Sequence, residues 1–325
     1  MSTRKFGKRH DIGRYASFGC RPGQNMIDAQ QFQRLGDTLL VRAPAKLNLS
    51  LLVAGKRPDG FHEIETVMAK VDWYDEIRIE PAQSEAIEFL CEGPRWAPQD
   101  QTNLVYRAAE QILRETGQTH RVRLTLVKNI PAGSGLGSAS SDAAATLLGL
   151  NRYGNLGLPK SRLVEMAARL GSDVAFFLNG PLAYCTGRGE KIAELTGSFP
   201  FAALLILSDV NSSTKEVYAN YRHDPALYEQ LHAKITALLD ENRIGSMVQM
   251  CANMLQRSCF QLYEELGERK EAIEAMDVGP VCLSGSGSTM FLLFDRGEAK
   301  RVEAVREILT KETGGGSVIV RNNRW

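Results

Sequence analysis

One run of glycine and small hydroxyl residues constrains this chain more than any other stretch. It reads Ile130-Pro131-Ala132-Gly133-Ser134-Gly135-Leu136-Gly137-Ser138-Ala139-Ser140-Ser141-Asp142. Upstream, Val122 to Val127 alternates apolar and polar residues, the pattern of a half-buried strand. Downstream, Ala143 to Leu150 is made mostly of strong helix formers. A strand, a small-residue loop and a helix start form the setting that a phosphate loop needs. Glycine lets backbone approach a ligand closely. Unpaired N–H groups at a helix start favour an anion, and serine hydroxyls add donors and oxygens for a metal ion. The loop is not a Walker A motif, because no Gly-Lys-Ser/Thr closes it. Its glycine spacing is not the dinucleotide fingerprint either. A nucleotide's phosphates suit it; the plain alternative is a flexible linker.

Length and charge bound the remaining choices. A chain of 325 residues predicts two domains. A net charge of +1 gives no global field for nucleic acid or an acidic membrane, and no run approaches the ~18 apolar residues of a membrane span. Cys20, Cys91, Cys185, Cys251, Cys259 and Cys282 are scattered without a Cys-x-x-Cys pair. That pattern argues against zinc and against a disulfide framework, and for a reducing cytoplasm. Residues 1–37 are basic and lack apolar periodicity. They read as a loosely docked extension; a transit peptide or a true start at Met26 fits the same composition.

From Asp37 the pattern becomes regular. Strands are predicted over Thr38 to Ala43, Leu49 to Val53, Val67 to Val71, Glu76 to Glu80, Leu204 to Leu207, Met290 to Phe294 and Val318 to Val320. Helices are predicted over Asp100 to Thr116, Ser161 to Leu170 with Ser161 as cap, Tyr228 to Leu239, Asn253 to Leu266 and Glu298 to Glu312. The elements mix without strict alternation, which favours an α+β fold. The glycines at 187 and 189 suggest a division between Tyr184 and Gly197, taken at 184/185 to give domains over 38–184 and 185–325.

Four further segments carry candidate chemistry. Lys46, in Pro44-Ala45-Lys46-Leu47-Asn48, is either a surface lysine or a cation turned into a pocket. His62, in Asp59-Gly60-Phe61-His62-Glu63, is either a solvated turn residue or, with Phe61, a seat for a flat heterocycle. Asp173, in Leu170-Gly171-Ser172-Asp173-Val174, is either a helix N-cap or a general base. Leu283-Ser284-Gly285-Ser286-Gly287-Ser288 is a second Gly/Ser loop before a strand, which is a simple turn or the far wall of one cleft.

Taken together, Pro44 to Leu49, Pro131 to Ser141 and Leu283 to Ser288 resemble the three motifs of the GHMP kinase superfamily, the galactokinase, homoserine, mevalonate and phosphomevalonate kinases. Ala43 to Thr66, with its Asp-Gly-aromatic-His element, is most similar to the 4-diphosphocytidyl-2-C-methyl-D-erythritol kinase family. The resemblance implies a two-domain fold, with an N-terminal domain like domain 2 of ribosomal protein S5 and a ferredoxin-like C-terminal domain. It implies an ATP- and Mg²⁺-dependent kinase acting on a small-molecule alcohol, with neither nucleic acid nor membrane as partner, as a monomer or homodimer. By the same resemblance Asp173 is the base and Lys46 its neighbour. Asn48, Phe61, His62, Gly285, Ser286 and Gly287 hold substrate or close the site. Pro131 to Ser141, Asn103 and Lys128 lie at the ATP. No protein residue is implied as a metal ligand. Ser138 and Ala139 stand where the family has glycine, which predicts strain wherever a positive φ is needed there. Phe61 replaces a tyrosine, and Val210 to Thr214 replaces a Gly-Val-Ser-Thr loop. A homoserine- or mevalonate-type kinase and a non-catalytic relative share the same motifs.

Overall fold

Two long strands carry the first half of the molecule in this computed structural model, which describes residues 30–118, 121–196, 199–240, 250–313 and 315–325. Strand β2 (Thr38–Lys56) pairs antiparallel with β3 (His62–Pro81) from Leu39↔Ile79 to Lys56↔His62. The sequence predicts four shorter strands here; each pair is one continuous strand. Pro44 does not interrupt β2, because the register shifts between Pro44 and Ala45. A bulge accommodates a residue that cannot donate to the ladder. Most of the basic 1–37 segment lies outside the described residues. Its last part is not loose: β1 (Phe32–Leu35) turns at Gly36 and pairs with β2.

An eight-stranded sheet grows on this hairpin. β4 (Glu88–Glu92), β5 (Val122–Val127), β6 (Leu182–Gly187), β7 (Lys191–Glu194) and β9 (Ala252–Asn253) complete it. β3 pairs with β6 over Ile64 to Ala69 and with β5 over Glu76 to Pro81, so one bulged strand serves two partners. Helices α1 (Leu104–Thr116), α2 (Ser138–Tyr153) and α3 (Lys160–Leu170) cover one face. Val41, Ile77, Leu124, Ile112 and Leu147 form a fully buried core between them. α3 starts directly after Pro159, two residues earlier than a Ser161 cap requires.

The second sheet has four antiparallel strands. β8 (Phe201–Ile206), β10 (Cys282–Leu283), β11 (Met290–Asp295) and β12 (Ser317–Arg321) lie in the order β10-β11-β8-β12. Between β8 and β10 run α5 (Thr214–Asn220), α6 (Pro225–Asp240), α7 (Gln256–Leu262) and α8 (Glu264–Glu274); α9 (Ala299–Thr313) joins β11 to β12. Helices crossing between non-adjacent strands in this order make the ferredoxin-like split βαβ arrangement. The single helix predicted over 253–266 is two, broken at Tyr263, whose hydroxyl accepts a hydrogen bond from Ser213 N at 2.9 Å.

β6 crosses the division expected at 184/185, yet both β6 and β7 are hydrogen-bonded into the first sheet. We place the division between Glu194 and Phe201 instead. The two units share apolar packing, since Ala45, Leu47 and Leu49 of β2 belong to the same buried cluster as Leu204 and Phe291.

Candidate active site

Strand alternation sets the first part of the site. Along β2, Ala45, Leu47 and Leu49 turn one way into the shared core. Successive side chains point to opposite faces, so Lys46 and Asn48 turn the other way and line a cavity of about 1010 Å³. Lys46 is 3% exposed, and its Nζ donates to Gly135 O at 2.8 Å and to Asn48 Oδ1. Asn48 Nδ2 in turn donates to Thr66 Oγ1 at 2.8 Å. Neither residue is a surface group.

The small-residue loop lies against them as an ordered turn and not as a flexible linker. Positive φ values fall on Gly133, Gly135 and Gly137. A Cβ on Gly137 would stand 2.9 Å from Lys46 Cγ and 3.1 Å from Phe177 Cζ. Glycine here lets the start of α2 approach the lysine. Ser138 and Ala139 belong to the first turn of α2 and have no positive φ, so the strain expected from their Cβ atoms does not arise. The N–H groups of this turn have no intrahelical acceptor, and Gly137, Ser138, Ala139 and Ser140 line the cavity. Gly133, Ser134 and Gly135 line it too. Ser134 Oγ donates to Pro131 O at 2.7 Å and closes the turn. Pro131 and Ala132 lie outside the lining, Leu136 is fully buried, and the buried Ser141 Oγ has no hydrogen-bond partner among the described residues.

Asp173 immediately precedes the short helix α4 (Val174–Phe177), but its side chain makes no capping hydrogen bond. The capping reading therefore falls away. One carboxylate oxygen lies 3.9 Å from Lys46 Nζ, and the side chain is 36% exposed to the cavity. Burial lowers the Lys46 pKa, while Asp173 opposes that shift.

The second loop forms the opposite wall. Ser284 Oγ donates to Gly135 O at 2.9 Å and Asn48 N donates to Ser284 Oγ at 3.3 Å. Gly285 and Ser286 reach the cavity; Gly287 faces Cys259 and does not line it. Asn253 Nδ2 steadies the loop from beneath, on Leu283 O at 2.8 Å and Gly285 O at 2.7 Å.

An aromatic group closes the far end. His62 lies 5.1 Å from the Tyr218 ring and 5.9 Å from Tyr221, while Phe61 is 52% exposed. Partial burial lowers the His62 pKa, with Lys56 and His223 adding to the shift, so the neutral imidazole is favoured. No motif in the sequence marks the two tyrosines. They sit three residues apart at the end of α5, and only the tertiary fold brings them to His62. Four cations are equally unmarked: Lys56, Arg188, Lys215 and Arg222 line this end, and none has an ion-pair partner among the described residues. An excess of cations in a cleft attracts anionic ligands.

Two expected nucleotide residues lie elsewhere. Lys128 is 1% exposed and bridges Asp75 Oδ2 at 2.6 Å and Asp142 Oδ2 at 2.5 Å. Burial alone would lower its pKa; the two carboxylates outweigh that and raise it. It ties β3 to the base of α2 beneath the loop. Asn103 caps α1, accepting from Val105 N at 2.9 Å. Both support the loop's frame, and neither lines the cavity.

Comparison with known proteins agrees with this arrangement. Family models described as GHMP kinases N terminal domain and GHMP kinases C terminal match residues 103–181 and 232–308. A 4-diphosphocytidyl-2-C-methyl-D-erythritol kinase from a Geobacillus species is 38% identical over 253 residues, covering 78% of this chain and 87% of that protein. One from Bacillus cereus is 36% identical over 290 residues, covering 85% and 99%. A crystal structure of 4-(cytidine 5'-diphospho)-2C-methyl-D-erythritol kinase matches with a TM-score of 0.68 at 32% identity, covering 87% of this chain and 99% of that one. Among the described residues no helix is long and apolar enough to cross a membrane. The chain belongs to the GHMP kinases, and within them to the 4-diphosphocytidyl-2-C-methyl-D-erythritol kinase family.

Proposed function

We propose that this protein transfers the γ-phosphoryl group of ATP to the 2-hydroxyl of 4-diphosphocytidyl-2-C-methyl-D-erythritol. The observation that carries the reading is the Lys46–Asp173 pair, at 3.9 Å, between a glycine loop and an aromatic pocket in one cavity. A free alcohol has a pKa of ~16 and is a poor nucleophile at neutral pH without a base. Asp173 takes its proton as the oxygen attacks phosphorus; a positioned base contributes about 10²–10⁴-fold. Lys46, 3.9 Å from that carboxylate, stabilises the developing alkoxide. Asn48, oriented by Thr66, holds the methylerythritol hydroxyls. His62, Phe61, Tyr218 and Tyr221 hold the cytosine, where a neutral imidazole suits a neutral base.

ATP's phosphates lie on the first turn of α2 and on Gly133 to Gly137. Phosphoryl transfer rests mainly on positioning and on charge neutralisation. The oxygens available to a metal there are the Ser138 and Ser140 hydroxyls lining the cavity and the unpartnered Ser141 Oγ behind them. A few hard oxygen donors fit Mg²⁺, which takes its other ligands from phosphate and water. When bound, the ion neutralises charge on the phosphates. In this reading the protein is a monomer or a homodimer that works in the cytoplasm on soluble substrates.

The test is turnover of ATP with the cytidyl substrate, with mevalonate and homoserine as controls. Asp173→Asn should lower kcat by about 10²–10⁴-fold while ATP still binds. Near-normal turnover in that variant would remove Asp173 as the base. Turnover on a control alone would keep the kinase and replace the substrate.

A further inference from the structure

Arg188 takes no part in the chemistry above, although it lines the aromatic end of the cavity and its turn reaches back toward Asp173. It sits in the turn joining β6 to β7, and that turn is held tightly. Gly187 N donates to Glu63 Oε1 at 3.1 Å, Gly189 N to Thr186 O at 3.1 Å, and Arg188 N to Glu190 Oε2 at 2.5 Å. At one side of Arg188, a Cβ built on Gly189 would lie 3.6 Å from Asp173 Oδ1. On the other side, the Arg188 guanidinium carbon stands 4.7 Å from the centre of the Phe61 ring. The residue therefore spans from the base to the aromatic pocket.

We propose that Arg188 is the anchor for the diphosphate of the nucleotide-linked substrate, an inference that rests on the functional reading above. A substrate with its base at His62 and its reacting hydroxyl at Asp173 must lay its diphosphate across the interval that Arg188 occupies. The chemistry of the side chain suits that position. A guanidinium stacked on an aromatic ring uses its face for the ring. Its edge N–H groups stay available, in the planar fork that matches phosphate oxygens two at a time. Neighbouring carboxylates are already engaged. Asp59 pairs with Arg57 at 3.2 Å and accepts from Phe61 N at 3.1 Å, and Glu63 pairs with the same arginine at 2.5 Å. Among the described residues Arg188 has no carboxylate within ion-pair distance; Asp59, already paired with Arg57, is near enough to feel its charge. Lys56, the cross-strand partner of His62, lines the same cavity and adds a second positive charge. The Phe61 ring has a role here too: it orients the guanidinium as well as seating the base.

The experiment is a competition series with cytidine, CMP and CDP against the cytidyl substrate, in wild-type protein, Arg188→Met and Arg188→Lys. The methionine keeps apolar cover on Phe61 and deletes the charge; the lysine keeps the charge and loses the fork. Arg188→Met should raise KM for the cytidyl substrate by roughly 10- to 100-fold, the worth of a charge-assisted pair, with KM for ATP within about twofold. It should also cut the preference for CDP over cytidine by a similar factor, and Arg188→Lys should recover part of it. An unchanged CDP-to-cytidine preference in Arg188→Met overturns the anchor while leaving the functional reading intact. So does an equal rise in KM for ATP, which would assign the arginine to the other nucleotide. Wild-type protein that ignores all three cytidine compounds overturns the functional reading and this subsite together.

Discussion

Replacing Gly135 by alanine would press a methyl group into the seam where the two small-residue loops meet. The added Cβ would overlap the Ser284 carbonyl oxygen and lie 2.9 Å from Gly287 O. Both neighbours are backbone, so no side-chain rotation relieves the clash. The residue also sits at φ +80, which costs an L side chain about 1–2 kcal/mol. Overpacking adds roughly 1–3 kcal/mol. Together these come to about 2–5 kcal/mol, unless the second loop withdraws. Withdrawal would break the Ser284 Oγ–Gly135 O hydrogen bond and open the wall of the cleft. Gly117 serves as the control. It has φ +65 at the end of α1 and nothing within 4 Å of an added methyl, so Gly117→Ala carries only the conformational cost. Urea unfolding of both variants, with KM for ATP and for the alcohol substrate, separates the two contributions. Gly135→Ala should lose stability beyond Gly117→Ala or should raise both KM values. Equal stability losses with unchanged KM values would refute the argument that this glycine is required by close contact.

Two further outcomes follow from particular burials. Lys70 is buried on β3, its Nζ donating to Phe177 O at 3.1 Å and Asn179 O at 2.7 Å with no carboxylate partner among the described residues; burial brings its pKa down to about 7. The unfolded chain keeps that proton up to about 10.4, so stability should rise from about pH 7 to pH 10, by at most ~1.4 kcal/mol per unit. Lys70→Met should abolish the rise in urea midpoints, and identical slopes in the two proteins would show that the amine keeps its charge when folded. Ala139→Gly restores the family's residue in the first turn of α2, where the backbone is already helical. It should lower stability by about 0.5–1 kcal/mol; a gain in the same unfolding measurement would mean that the Cβ is strained after all.

The parts of the fold visible in the sequence are those with local causes. Asn103 and Gly117 bracket α1 because a side-chain oxygen caps one end and a left-handed glycine the other. The Gly/Ser loop is recognisable because a strand and a helix flank it directly. Breaks are harder to read than elements. Pro44 has the look of a strand end, but a register shift carries β2 through it. Residues 253–266 have the pattern of one helix, but Tyr263 is held by Ser213, a partner 50 residues away. The strand at Phe32–Leu35 has an exposed pattern and little apolar signal, so it depends on its pairing with β2.

The same distinction governs the site. Lys46 and Asn48 are legible because alternation along one strand places them on one face, and their roles follow once that face meets the glycine loop. Asp173 is ambiguous from its neighbours alone. The missing capping bond and the 3.9 Å approach to Lys46 remove the cap and support the base proposed above. Lys128 shows the limit of local reading. Its place in the sequence, directly after β5 and ahead of the phosphate loop, resembles a nucleotide contact, while its two carboxylate partners lie 53 and 14 residues away. Charge near a motif does not say which way a side chain turns. Tyr218, Tyr221 and Arg188 carry no local signal, since one helix end and one hairpin turn from different parts of the chain must meet at Phe61 and His62 before they form a pocket. Phosphate recognition can be local because it uses backbone N–H groups in a single loop. The proposed recognition of the base and diphosphate draws on side chains from several elements, so it emerges only when the sheets are assembled.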